Sequence, residues 1–169
     1  MKETLKQLAR AASNWPRQLS FAVIWCAIVS GGVGINLHAQ HWPLDSNFIN
    51  LLWPFVTASL LAGYLSLLFA QGFVKNKPTM SRFAFFFAAL CILTVGLTAL
   101  IFAVQYRLSF PQWSAPIFSF EWLKRTFFTT MSAAYLFSVV GFRLLMPWGL
   151  IALFIASVGF SRGWLKPSR

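Results

Sequence analysis

Residues 126–160 read TFFTTMSAAYLFSVVGFRLLMPWGLIALFIASVGF, a stretch of 35 residues in which Arg143 is the only charged side chain. A bilayer core about 30 Å thick is crossed by about 20 apolar residues in a helix. This stretch is therefore long enough to cross a membrane, and it predicts that the chain folds in a lipid bilayer. Three further apolar stretches precede it, at residues 19–37, 48–74 and 83–104.

The composition of the whole chain supports the same conclusion. Hydrophobic residues make up 58% of the 169 residues, charged residues make up 10%, and the mean hydropathy is +0.67. A soluble domain carries about 25% charged residues, so this composition leaves no room for a sizeable soluble domain. We predict an all-α polytopic membrane protein with one domain, a bundle of four transmembrane helices whose last helix is long and kinked.

The basic residues are distributed unevenly around the four apolar stretches. If the chain crosses four times, ten of the 14 Lys and Arg residues lie on one side of the membrane. They are Lys2, Lys6, Arg10, Arg17, Lys75, Lys77, Arg82, Arg162, Lys166 and Arg169. This bias predicts cytoplasmic termini in a bacterial inner membrane, with residues 1–18 as either a basic interfacial segment or a frayed basic tail. Attraction to anionic lipids accounts for the net charge of +11, so we expect membrane lipids and not nucleic acid as partners.

The last apolar stretch is too long for one crossing, because a helix of 35 residues would measure about 52 Å. Pro147 has no N–H to donate to the carbonyl of Arg143. We therefore predict one long helix over residues 126–161, kinked at Pro147, in which Leu144–Ser161 crosses the membrane. The more polar half before it would extend into the outer headgroups or re-enter. Two full crossings are disfavoured, because they would place the basic C-terminal residues outside.

Small residues recur at four-residue intervals within the predicted spans. In lipid, helices associate where small side chains let backbones approach closely, so these pairs predict helix-packing positions. The pairs are Ser30 with Gly34, Ser59 with Gly63, and Ala84 with Ala88. Four phenylalanines between residues 83 and 87 form a dense aromatic run. We expect this run to face lipid.

Most of the side chains needed for catalysis or ion transport are missing from the spans. The carboxylates are Glu3, Asp45 and Glu121, and none lies in a span, which disfavours proton relays and paired-carboxylate chemistry. His38 and His41 lie near Asp45, but this set is too small for a metal site, so we expect solvated histidines and no bound metal. The sequence contains no nucleophile elbow, P-loop or dinucleotide glycine pattern. We predict that the protein is not an enzyme and has no cofactor.

Arg143 is the strongest functional candidate, because a charge in the middle of a bilayer costs at least about 2.5–3.5 kcal/mol. It could hold a lipid phosphate, hold an acidic residue of a partner subunit, or cap the carbonyls released near Pro147. It could also extend along its helix to the interface and do none of these. Thr130, Tyr135 and Ser138 lie in the same stretch and are further candidates for partner or lipid contact.

Two functions follow from these observations. The first is a non-enzymatic accessory or assembly subunit of a larger inner-membrane complex, which binds other membrane subunits or itself through the small-residue pairs and Arg143. The alternative is a channel or carrier for lipid or a small solute, alone or as a homo-oligomer. Only Thr130, Tyr135, Ser138 and Arg143 hint at a polar path. The lack of acidic residues in the spans and of internal repeats favours the first function.

Overall fold

The computed structural model describes residues 15–41, 46–74, 77–109 and 119–163. These residues form an all-α fold with six α-helices and one π-helical turn. The helices are α1 (Trp15–Ala39), α2 (Ser46–Phe73), α3 (Thr79–Ser109), α4 (Phe120–Leu136), α5 (Phe142–Leu145) and α6 (Trp148–Arg162), and the π-helical turn Phe137–Gly141 joins α4 to α5. Most of the predicted interfacial segment 1–18 lies outside the described residues.

Three helices are long and apolar enough to cross a membrane: α1, residues Phe48–Phe73 of α2, and residues Thr79–Gln105 of α3. Helices α1 and α3 contain their predicted spans and run a few residues further at each end, and α2 contains the predicted span 48–74 except its last residue, Val74. The fourth apolar helix, α6, has 15 residues and measures about 22 Å. The three long apolar helices indicate an integral membrane protein.

Helices α1, α2, α3 and α6 pack around a shared core, each antiparallel to the next. Contacts run from α1 to α2, from α2 to α3, from α3 to α6, and from α6 back to α1. We call the end of the bundle at which α1 begins the proximal end, and the end at which α1 finishes the distal end. Near the proximal end, the rings of Phe86 and Phe160 stack with centroids 4.5 Å apart.

The aromatic run of α3 contributes to this core, so the expectation that it faces lipid is wrong in part. Phe86 is fully buried, and Phe83, Phe85 and Phe87 are half-buried. Successive residues of a helix are turned by about 100°, so four phenylalanines in five positions cover more than one face. At least one of them must point into the bundle.

The hydroxyl groups buried in the core bond mostly within their own helices. Ser59 donates to the carbonyl of Phe55, Thr98 to that of Thr94 at 2.6 Å, and Ser157 to that of Leu153 at 2.7 Å. This local bonding satisfies each hydroxyl without a partner from another helix. Trp25 is different, because its indole Nε1 donates to the Thr94 hydroxyl at 3.2 Å and joins α1 to α3.

The last apolar stretch is not the single kinked helix that its sequence predicts. It is divided into α4, the π-helical turn, α5 and α6, and the chain turns at Met146 and Pro147, whose peptide bond is cis. The position of the break at Pro147 agrees with the missing N–H. Helix α4 begins at Phe120, earlier than the predicted start at residue 126. The Ser119 hydroxyl caps this helix by accepting a hydrogen bond from the backbone N–H of Trp122 at 3.0 Å.

Candidate functional site at the helix break beside Arg143

The π-helical turn is held by an aromatic cluster in the distal half of the bundle. The ring of Phe137 is buried and lies 6.2 Å from Phe55 and 6.0 Å from Phe102, measured between centroids. A Cβ atom added at Gly141 would collide with the Phe137 ring. Glycine at position 141 therefore lets the wider turn close over the phenylalanine.

The break at Pro147 releases backbone carbonyls, and Asn36 of α1 binds two of them. Its side-chain Nδ2 donates to the carbonyl of Leu144 at 2.7 Å and to that of Met146 at 3.1 Å. An unpaired carbonyl in hydrocarbon costs several kcal/mol. The half-buried amide of Asn36 thus supplies donors that a continuous helix would supply itself.

Sequence reasoning missed Asn36 and offered Arg143 for the same task. The signal was present, because Asn36 is the only amide side chain in the apolar run 19–37. Asparagine in a membrane helix usually bonds across to a neighbouring helix. The presence of one amide in α1 and one helix break in the last stretch was therefore sufficient to suggest the pairing.

The side chain of Arg143 is exposed on the surface of α5. Within the described residues it has no hydrogen-bond or ion-pair partner. The carboxylate of Glu121, on α4, pairs instead with Arg125, with 3.6 Å between Oε2 and the guanidinium nitrogen. The five N–H donors of Arg143 thus have no acceptor in the part of the chain that the structure describes.

The other predicted contact residues do not gather with Arg143 in the interior of the bundle. Thr130 and Tyr135 lie on exposed positions of α4. Ser138 lies in the π-helical turn, and its side chain is outside the described part of the structure. The described members of this polar group therefore belong to the surface of the molecule.

The predicted packing pairs fall in different surroundings. Ser59 is fully buried, and a Cβ at Gly63 would lie 2.9 Å from the Cα of Ala22, so α1 and α2 approach very closely there. Ser30 is half-buried and lies 3.8 Å from the Cys26 sulfur. A Cβ at Gly34 would meet nothing within 4 Å.

Ala84 and Ala88 are both exposed on α3. Gly96, two turns beyond Ala88, is exposed as well, and a Cβ there would meet nothing within 4 Å. Ala84 and Ala88 share one face because they are four residues apart, and Gly96 lies about 80° further around the helix than Ala88. Ala84 and Ala88 are therefore not covered by another helix in the part of the chain that the structure describes.

Polar side chains also meet at the proximal end, and these contacts were not predicted from the sequence. The guanidinium of Arg82 donates to the carbonyl of Phe160 at 3.0 Å and lies 5.3 Å from the centre of the Phe160 ring. It therefore binds the last turn of α6, where a cation is favourable. The buried amides of Gln18 and Gln71 form a hydrogen bond of 3.4 Å between α1 and α2.

The two histidines of the predicted solvated cluster are exposed. His38 lies in the last turn of α1, and His41 follows it with a positive φ of 58°. Asp45, the third member of the cluster, lies outside the described residues. The described residues contain no group of three His, Cys, Asp or Glu side chains that could hold a metal ion.

Comparison with known proteins gives no relative. No protein-family model, curated protein or solved structure matches this chain. Function is therefore inferred from the residues and contacts of this chain alone.

Proposed function

We propose that the protein is a non-enzymatic accessory or assembly subunit of a larger inner-membrane complex. The observation that carries this proposal is the exposed guanidinium of Arg143, which has no partner in the described chain. In the membrane arrangement proposed below, Arg143 lies at the outer edge of the fourth crossing, where a charge that is partly removed from water and left unpaired carries a cost. A carboxylate from a second membrane subunit, or a lipid phosphate, removes that cost by forming two parallel hydrogen bonds with the guanidinium.

The proposed membrane arrangement has four crossings and cytoplasmic termini. Helices α1, α2 and α3 form three crossings, and α5 and α6, joined by the turn at Met146 and Pro147, form the fourth. The proximal end then faces the cytoplasm, in agreement with the ten basic residues of the termini and the loop between α2 and α3.

In this arrangement α4 lies at the outer surface of the membrane. Helix α3 has 31 residues and measures about 46 Å, so its distal end extends beyond the hydrocarbon core. Helix α4 packs against α3 and exposes a row of apolar side chains. The row comprises Phe120, Leu123, Phe127, Met131 and Tyr135. An amphipathic helix of this kind is suited to the headgroup region.

The surface available for a partner helix has two parts. One is the neighbourhood of Arg143, where Val139, one turn earlier, is also exposed. The other is the face of α3 that carries Ala84 and Ala88, where a second helix can approach closely. The partner is either another membrane subunit or a second copy of this chain.

The channel or carrier alternative receives less support. A conducting path needs polar groups that converge inside the bundle. The buried hydroxyls of Ser59, Thr98 and Ser157 bond within their own helices. Thr130 and Arg143 lie on the surface and not in the core.

Co-purification in mild detergent, followed by mass spectrometry of proteins and lipids, tests the proposed docking at Arg143. We expect Arg143→Leu to insert as well as the wild type and to lose its partner or bound anionic lipid. Arg143→Lys should keep part of the association, because an ammonium cannot form the planar two-bond contact. Arg125→Leu is the matched control, since Arg125 pairs with Glu121 inside the chain. Unchanged proteins and lipids with Arg143→Leu would show that the arginine merely extends to the interface.

Cysteine labelling in intact cells tests the proposed topology. The reporter is Ser168→Cys in a background that lacks Cys26 and Cys91. We expect an impermeant thiol reagent to label this cysteine only after the cells are opened. Labelling from outside would place the C-terminus outside the cell and contradict four crossings.

A further inference from the structure

A groove runs along the outside of the bundle between α1 and α6. Its volume is about 540 Å³, and its lining is almost wholly apolar. Isoleucines form its walls, while small residues and two aromatic side chains form its floor. The wall residues are Ile24, Ile28, Ile35, Ile151 and Ile155, and the floor includes Gly32, Ala152, Ala156 and Gly159.

The groove begins at the proximal end of the bundle and runs toward the distal end. On α1 its lining extends from Phe21 to Ile35, a rise of about 21 Å. Near its distal end the two helices meet, because a Cβ at Gly32 would lie 3.4 Å from the Cβ of Trp148. At the proximal end the lining reaches Phe21 on α1 and Gly159 on α6.

An arginine stands at the proximal end of each helix row that lines the groove. On α1 the row from Ile24 through Phe21 continues, four residues earlier, to Arg17. On α6 the row from Ile155 through Gly159 continues, three residues later, to Arg162. Spacings of three and four residues keep side chains on one helix face. Both arginines are exposed, so two cations flank the mouth of an apolar groove.

We propose that this groove binds an anionic phospholipid of the leaflet at the proximal end. One acyl chain lies along the isoleucines, and the phosphate binds Arg17 and Arg162. The site combines an apolar channel with cations at its end, which matches an amphiphile whose charged group lies at the membrane surface. In the proposed topology this is the cytoplasmic leaflet, where anionic lipids attract basic side chains.

The dimensions and charges of the groove favour a lipid over a partner helix. A helix about 10 Å wide would rest mostly on the exposed isoleucines that border the groove, and not within it. An acyl chain is far thinner and fits within this space. A phosphate is also always present at the depth of the two arginines, whereas a partner helix would need an acidic residue at that position.

Native mass spectrometry of the purified full-length chain tests the role of the arginines. The probes are phosphatidylglycerol and phosphatidylcholine, each titrated into detergent solution. We expect the wild type to retain phosphatidylglycerol more tightly than phosphatidylcholine. Removing one cation near the surface should weaken phosphatidylglycerol binding about fivefold, so Arg17→Gln with Arg162→Gln should weaken it about 25-fold. Lys77→Gln, which removes an exposed cation at the same end, should change binding less than twofold.

A second pair of variants tests the groove itself. Ala156→Phe fills the floor of the groove, and Ala88→Phe adds the same ring to the exposed face of α3. We expect Ala156→Phe to reduce binding of both lipids and Ala88→Phe to leave it unchanged. The arginine variants alter exposed side chains, so they test the lipid site even if Ala156→Phe fails to fold.

Two results would overturn the lipid site. One is wild-type binding of phosphatidylglycerol by the double arginine variant. The other is an Ala156→Phe protein that keeps its lipid and loses a protein partner or its self-association, which would assign the groove to a helix. The proposal rests on the proposed membrane topology but not on the partner at Arg143. Lipid binding is measured on the purified chain, whereas the contact of Arg143 is measured by co-purification. The two proposals can therefore fail separately.

Discussion

Helix α3 and the last apolar stretch of the chain fold in opposite ways. Helix α3 is an unbroken helix of 31 residues, whereas residues 120–162 are divided among three α-helices and a π-helical turn. In α3 the backbone bonds along its own length, so its side chains are free to pack or to face lipid. In the last stretch the break at Pro147 leaves carbonyls that another helix must bind.

This difference shows where the structure depends on single side chains. Within α3, the Thr98 hydroxyl donates to a carbonyl of its own helix, so replacing Thr98 would leave no group of another helix without a partner. At the break, Asn36 supplies both hydrogen bonds to the carbonyls of Leu144 and Met146 from a helix more than one hundred residues earlier. Variants at the break should therefore have larger effects than comparable variants in the continuous helices.

The largest effect is expected for Asn36→Leu. This change leaves the carbonyls of Leu144 and Met146 without their donor and should lower the free energy of unfolding by about 2–3 kcal/mol. Reversible unfolding in mixed micelles measures the change. Asn50→Leu, at an exposed position of α2, is the matched control and should shift stability by less than about 0.5 kcal/mol. Equal losses of stability in the two variants would show that the hydrogen bonds of Asn36 at the break do not stabilise the fold more than an exposed side chain does.

A pair of glycines compares the π-helical turn with the regular helix that follows it. Gly141→Ala forces a methyl group against the buried Phe137 ring and should destabilise the protein by about 1–2 kcal/mol. At Gly149 the nearest atom is the Cβ of Leu145 at 3.5 Å, an ordinary contact. Gly149→Ala should therefore be neutral or stabilise by about 0.5 kcal/mol, since alanine favours helix. The same unfolding measurement checks both, and a more stable Gly141→Ala protein would contradict the described turn.

The smallest effects are expected within α3, where two buried threonines differ in their partners. Thr94→Val removes the acceptor for the Trp25 indole and should cost about 1 kcal/mol. Thr98→Val removes only a bond to its own helix and should change stability by less than about 0.5 kcal/mol. Trp25→Phe should remove the difference between the two valine variants. If the difference persists in the Trp25→Phe background, the hydrogen bond between α1 and α3 is not its source.

The sequence was sufficient to predict an integral membrane protein of the helical class and the approximate positions of its first three spans. Long apolar runs and the position of Pro147 depend on local chemistry, and local chemistry can be read along the chain. The π-helical turn was not predicted, because it depends on Phe137 fitting between Phe55 and Phe102, which lie on other helices. The inward turn of Phe86 likewise depends on the neighbours of α3.

The candidate site was predictable only in part. Arg143 was identifiable because it is the only charge in its stretch, and this property belongs to the sequence alone. Its exposure, and the exposure of Ala88, depend on which faces the other helices cover. The groove between α1 and α6 was not predictable either, because its two rows of residues lie more than one hundred positions apart.

Site-specific photocrosslinking most directly tests the central claim that the surface beside Arg143 contacts a partner in the membrane. A photoreactive residue is placed at Val139, one turn before Arg143, and at Val23 on α1 as a control of equal exposure. We predict a discrete crosslinked protein from position 139 and none from position 23, with the product from position 139 strongly reduced by Arg143→Leu. Identical patterns from both positions, or a product from position 139 that is unchanged by Arg143→Leu, would contradict the claim.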